Sequence, residues 1–217
     1  MRHAAAGPLW GCLLALLLAA PLPLCAAEPG SSPALSRHER NALDAGVLVS
    51  RALRFSDSGG RYVGGVSYQV IDVRPELVLA ALSDVANWPE ALPRTKSARL
   101  VAAAERDGLS RVELVQGGAL VDATYTVVLD KADDETIRFW LDPSRPHDIR
   151  DVWGFFRVKP LPGGRSLITV GAALDLGEGL ARMLFEDKIA KMLLHAPTKI
   201  RQFVEPRAMA LSGALTR

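Results

Sequence analysis

The sequence predicts an α+β domain: a curved antiparallel sheet of about six to seven strands, two short helices after the first strand, and a long kinked C-terminal helix packed across the sheet. Three observations carry this reading. Leu180 to Val204 places Phe185, Ile189, Met192, Ala196, Ile200 and Phe203 at helical spacings, with Lys188, Lys191, Lys199 and Arg201 largely off that stripe. Tyr62 to Leu176 is dominated by apolar/polar alternation, the pattern of half-buried strands. Between the first alternating stretch and the others stand two short helical runs punctuated by prolines.

The elements follow in order. Arg2 and the uncharged apolar run Leu9–Leu24, ending in Cys25-Ala26-Ala27, read as a secretory signal peptide cut near Ala27. Pro21 and Pro23 argue against the alternative of a spanning anchor, which needs ~20 apolar residues. Lipidation at Cys25 is a further alternative. The expected location is therefore periplasmic or secreted. Both cysteines, Cys12 and Cys25, lie in the leader, so the processed chain has neither disulfides nor thiolate ligands.

Residues 28–36 form a Pro/Gly/Ser tether. Residues 37–61 read as a helix and edge-strand extension, with Ser36 as cap and Glu39 at the capping-box position. The main domain spans 62–206 and a tail 207–217. Val66, Tyr68 and Val70 mark its first strand. Pro75 opens one short helix and Ser83-Asp84 caps the next, which holds Trp88 and Pro89. Further strands are expected at Ser97–Ala104, Leu109–Gln116, Val121–Asp130, Thr136–Leu141 and Asp148–Leu161, with a last one through Ile168, Val170, Ala172 and Leu174. Pro197 interrupts the C-terminal helix and is expected to bend it, leaving the Leu193 carbonyl to His195 or water.

Two stretches carry a family resemblance. VRPELVLAALSDVANWPEALPRTKSARLV (Val73–Val101) is similar to the first-strand exit and paired helices of the START-like, helix-grip (SRPBCC) superfamily, which includes polyketide cyclase/dehydratase and coenzyme Q-binding proteins. VWGFFRVKPLPGGRSLITVGAALDL (Val152–Leu176) resembles that family's penultimate hairpin. The resemblance implies a cavity between sheet and C-terminal helix that holds a hydrophobic molecule.

The cavity candidates come from alternation and the helix stripe. They are Trp88 on the second short helix, Val112, Leu114, Tyr125 and Val127 on the middle strands, and Phe139 and Phe156 beyond them. The C-terminal helix adds Met183, Ile189, Met192 and Ile200. His147, Arg150 and Asp151, with Asp148, are polar candidates for the cavity mouth. Trp140 and Trp153 fall on the opposite faces of their strands, and mark either a surface covered by the N-terminal segment or an exposed contact site.

The four histidines lack metal-ligand spacing, and no catalytic set is recognisable, so neither a metal nor a cofactor is expected. With 26 basic and 24 acidic residues, the chain has no electrostatic case for nucleic acid. The expected partner is a lipid, quinone or other hydrophobic small molecule, with transient membrane contact. The expected function is an exported, non-catalytic binder or carrier; the alternative is an aromatase/cyclase-type enzyme on the same fold.

Overall fold

The computed structural model describes residues 34–57, 60–103, 108–118, 121–178 and 180–214, without the side chains of 180–185 and 211–214. The leader and its cleavage site lie outside the described residues. Among those described, five α-helices and a 3₁₀ turn are arranged about one antiparallel sheet: α1 (Arg37–Asp44), β1 (Val49–Asp57), β2 (Gly60–Ile71), α2 (Pro75–Ser83), a 3₁₀ turn (Val85–Asn87), α3 (Trp88–Ala91), β3 (Thr95–Ala102), β4 (Leu109–Gly117), β5 (Asp122–Lys131), β6 (Thr136–Leu141), β7 (Asp151–Leu161), β8 (Arg165–Asp175), α4 (Leu180–Leu194) and α5 (Ala196–Ala214). The sheet has eight strands, one more than the upper expectation, in the order β1-β2-β8-β7-β6-β5-β4-β3. The eighth strand is β1, the edge strand expected within residues 37–61. It pairs with β2 along its whole length, from Val49 opposite Tyr68 to Asp57 opposite Gly60.

The sheet is buried on both faces near β2. Val66, Tyr68 and Val70 do not face the C-terminal helix. Their face is covered by α1, where Leu43, Val49, Tyr68 and Val70 form a small separate core with Leu35 alongside. The gripping face of β2 presents Ser67 and Gln69, both buried. Gln69 Nε2 donates to the Gly46 carbonyl (2.9 Å), and its amide oxygen accepts from Thr198 on α5 (3.4 Å). A buried polar residue is tolerable when so paired. On β5 likewise, Thr126 and Val128 on the outer face are buried, Val128 lying opposite both Trp140 and Arg111 in register.

The cap of α1 is the predicted one. Ser36 Oγ accepts from the Glu39 N–H (3.2 Å) while the Glu39 carboxylate accepts from the Ser36 N–H (2.8 Å). Glu39 also accepts two hydrogen bonds from Arg51 on β1, at 2.9 and 2.7 Å. Arg51 first, then Ser36, holds the Glu39 carboxyl at about 2, below its ordinary 4.5. A carboxyl lowered on folding stabilises the folded state above its unfolded value and loses that contribution as pH falls through the folded one. Docking of α1 should therefore weaken between pH 4.5 and about 2. In an NMR acid titration, the Glu39 carboxyl carbon should titrate near 2, and the Leu43 methyls should lose their sheet-packed shifts over the same range. A Glu39 midpoint at 4.5 would refute the coupling.

The first short helix ends on side chains of the second. Asn87 Nδ2 donates to the Ala81 carbonyl (3.1 Å) and Trp88 Nε1 to that of Leu82 (2.8 Å), satisfying carbonyls that the end of α2 leaves orphaned. Asp84 accepts from the Ala86 N–H (3.1 Å), as its capping role requires.

The C-terminal helix bends by 38° and does not end at Pro197. The break falls at His195, and Pro197 occupies the first turn of α5, where its missing N–H is least costly. His195 satisfies the Lys191 carbonyl, not that of Leu193: its N–H lies 3.1 Å and its Nδ1 2.7 Å from the Lys191 oxygen. Beyond the bend, Ile200, Phe203 and Val204 are buried in the main core. α5 continues through Pro206 to Ala214, so the expected tail is helical in its first part. Before the bend, α4 is tied to the sheet edge by charge, with Arg61 reaching Glu186 (3.1 Å) and Arg54 pairing with Asp187.

Candidate functional site

Where the bent helix crosses the sheet, the core does not close completely. A cavity of about 60 Å³ remains, walled by aromatic and aliphatic side chains. Alternation along the strands builds three sides of it. β4 and β5 pair Leu114 with Tyr125, and Val127 follows two residues on. β6 contributes Phe139, whose ring lies across Gly154 on β7, its register partner. A Cβ at Gly154 would come within 2.5 Å of that ring. Val152 and Phe156 of β7 and Val170 and Ala172 of β8 complete the sheet wall. The roof is α4 and the start of α5, through Met192, Leu193 and Ala196. Trp88, with Leu92 and Pro93, closes one end. Trp88 packs edge-on to Phe156 (6.2 Å between centroids), which in turn contacts Phe139 (5.3 Å).

The polar chemistry of the cavity is confined to one place. The Tyr125 hydroxyl donates to Gln116 Oε1 (2.5 Å), and Gln116 Nε2 donates to Thr95 Oγ1 (2.8 Å). Burial pushes the Tyr125 phenol above the ordinary tyrosine range, so it stays neutral. Among the described residues, no acidic or basic side chain lines the cavity.

Of the sequence candidates, Trp88, Leu114, Tyr125, Val127, Phe139, Phe156 and Met192 come together on its walls. Val112 and Ile200 are fully buried in the core behind it, and Ile189 packs against that core at its margin. The Met183 side chain lies outside the described residues. Gln116 was not anticipated: a polar residue beside Gly117-Gly118 reads as the edge of a turn. Its parity with Val112 and Leu114 is the signal that places it on the inner face.

The polar mouth candidates do not line the cavity. β7 begins at Asp151, and strand parity turns Asp151 to the outer face. There it accepts from the Tyr62 hydroxyl (2.6 Å), a bond that raises the phenol to about 12. Arg150 lies 3.8 Å from the buried Asp175 carboxylate, and the His147 ring turns to the Ile149 carbonyl (2.7 Å). Asp148 clips the loop to β5 by accepting from the Thr124 N–H (2.7 Å). Trp140 and Trp153 are register partners on the outer face. α1 covers the other end of that face, and Trp153 stays 45% exposed beside Phe55.

Comparison with known proteins agrees with this fold. The chain is similar in structure to the ZhuI aromatase/cyclase of Streptomyces sp. R1128 (15% identity, TM-score 0.54, covering 74% of this chain and 94% of that one). It is also similar to a STAR-related lipid transfer protein of Xanthomonas axonopodis (14%, 0.53, 70% and 98%) and to the TTHA0849 protein of Thermus thermophilus (19%, 0.55, 68% and 97%). At these identities the likeness is one of fold. No curated protein sequence matches the chain. The family model described as polyketide cyclase/dehydrase and lipid transport matches residues 65–196, from the gripping strand β2 to the bend in the C-terminal helix, and the chain belongs to that family.

Proposed function

We propose that this protein is a non-catalytic binder or carrier of a hydrophobic small molecule, held between the sheet and the bent helix. The observation that carries this reading is the composition of the cavity: aromatic and aliphatic walls with one neutral hydrogen-bonded pair, Tyr125 and Gln116. Such a site rewards apolar area and fixes orientation with few polar contacts. A cyclase working by acid/base chemistry needs a group that titrates near the working pH beside its substrate. An amide and a phenol raised by burial do not meet that need.

At about 60 Å³ the cavity is smaller than the roughly 300–1,000 Å³ of a drug-sized site. Entry of a ligand therefore requires the roof to yield. Met192 is the most adaptable wall, being unbranched and on the helical side.

Export belongs to the same proposal. Cleavage after Ala27 would release a thiol-free carrier outside the cytoplasm, and an intact mass starting at Glu28 would support it. A lipid-modified Cys25 would replace it with a tethered form.

Binding is tested with N-phenyl-1-naphthylamine, whose fluorescence rises in apolar surroundings. The wild type should bind it saturably. Ala172 faces the cavity from β8, so Ala172→Leu should fill the space and weaken binding at least tenfold in a protein that keeps its circular dichroism. Equal binding by the folded variant would count against this cavity as the site.

A further inference from the structure

We propose that the cavity selects a neutral ring compound carrying one oxygen, a hydroxyl or a carbonyl, and that Gln116 and Tyr125 read that oxygen. This rests on the binder reading and narrows it to a ligand class.

Three features argue for it. The first is charge. With no ionised side chain on the described walls, a carboxylate or phosphate entering here would be desolvated with nothing to neutralise it. The second is shape. Four aromatic rings, those of Trp88, Tyr125, Phe139 and Phe156, line the space, and the last three come from neighbouring strands of the sheet. Rings prefer edge-on and offset contacts with other rings. A pocket of about 150 Å³ suffices for one six-membered ring. Withdrawal of a side chain such as Met192 brings the present 60 Å³ toward that size, whereas a long acyl chain needs the whole roof displaced.

The third is hydrogen-bond capacity. A primary amide offers two N–H groups, and a phenol both donates and accepts. The hydrogen bonds along Tyr125, Gln116 and Thr95 use one amide hydrogen and the phenol hydrogen. They leave the second Gln116 N–H for a ligand oxygen and the Tyr125 oxygen for a ligand hydroxyl. Thr95, itself buried, anchors the far end of the chain and holds the amide in place.

The test compares matched probes on the full exported chain by calorimetric titration: p-cresol, 4-methylcyclohexanone, toluene, 4-methylbenzoate and palmitate. p-Cresol and the ketone should bind about tenfold tighter than toluene, the weight of one buried hydrogen bond. 4-Methylbenzoate should not saturate. Gln116→Leu should bring p-cresol down to the level of toluene in the same variant. Tyr125→Phe, which removes a single oxygen and so keeps the fold, should lower p-cresol in the same direction. Equal affinity for p-cresol and toluene in the wild type, or unchanged p-cresol binding in Gln116→Leu, would overturn the inference. Preferential binding of palmitate would overturn it as well while leaving the carrier reading standing. If no probe binds, both fail.

Discussion

Trp88→Ala is expected to cost about 3–5 kcal/mol of stability, near the top of the range for a single core truncation. Trp88 is among the largest fully buried side chains, and it performs three tasks at once. Its ring closes the end of the cavity and meets Phe156 edge-on. Its Nε1–H also satisfies the Leu82 carbonyl at the end of α2. Truncation thus removes packing area, opens a void and orphans a buried acceptor, and these costs add. The urea midpoint should fall accordingly. Trp88→Phe separates the contributions: it retains most of the ring but leaves the Leu82 carbonyl unpaired, a cost of about 1–3 kcal/mol. If Trp88→Phe were as damaging as Trp88→Ala, the hydrogen bond would outweigh the packing. If Trp88→Ala were nearly neutral, the placement of α3 against the sheet would be wrong.

Gly64→Ala should be comparably severe although Gly64 carries no side chain. Its φ is +151°, and a Cβ there would lie 2.0 Å from the Ala172 carbonyl oxygen, a backbone atom that cannot rotate away. Left-handed strain and overpacking together imply roughly 2–5 kcal/mol. The damage should reach the site, because the strand it would displace carries Ala172 into the cavity wall. Thermal melts and N-phenyl-1-naphthylamine binding should therefore fall together. Gly118→Ala is the control, since a Cβ there meets nothing within 4 Å, and it should be near neutral. A Gly64→Ala protein of wild-type stability would mean that β2 and β8 are not in this register.

Much of this was legible in the sequence because its signals are periodic. The stripe from Ile189 to Phe203 is the helix face that packs on the sheet, and the alternation of Tyr125, Val127 and Leu129 is the inner face of β5. The Ser36–Glu39 capping box formed as read. Pairing of strands against unexpected covers was not legible. Alternation in β2 marks two faces but does not say which helix covers which, and α1 took the apolar one. β7 was expected to start at Asp148, but that residue instead clips its loop to β5. The loop before β7 runs to Arg150, and Asp151 then faces outward. A proline inside the helix pattern correctly announced a bend. The His195 ring turns not to the expected Leu193 carbonyl but to that of Lys191, which its own backbone N–H also reaches.

The central claim is that the space beneath the bent helix takes a hydrophobic ligand, and the methionine methyls report on it directly. Met192 faces the cavity, while Met209 is 68% exposed near the end of α5. In protein labelled with ¹³C at methionine methyls, titration with N-phenyl-1-naphthylamine should shift the Met192 resonance saturably and leave Met209 in place. A saturable shift at Met192 that is lost in Ala172→Leu is the predicted result; probe binding that leaves Met192 unmoved would contradict the claim.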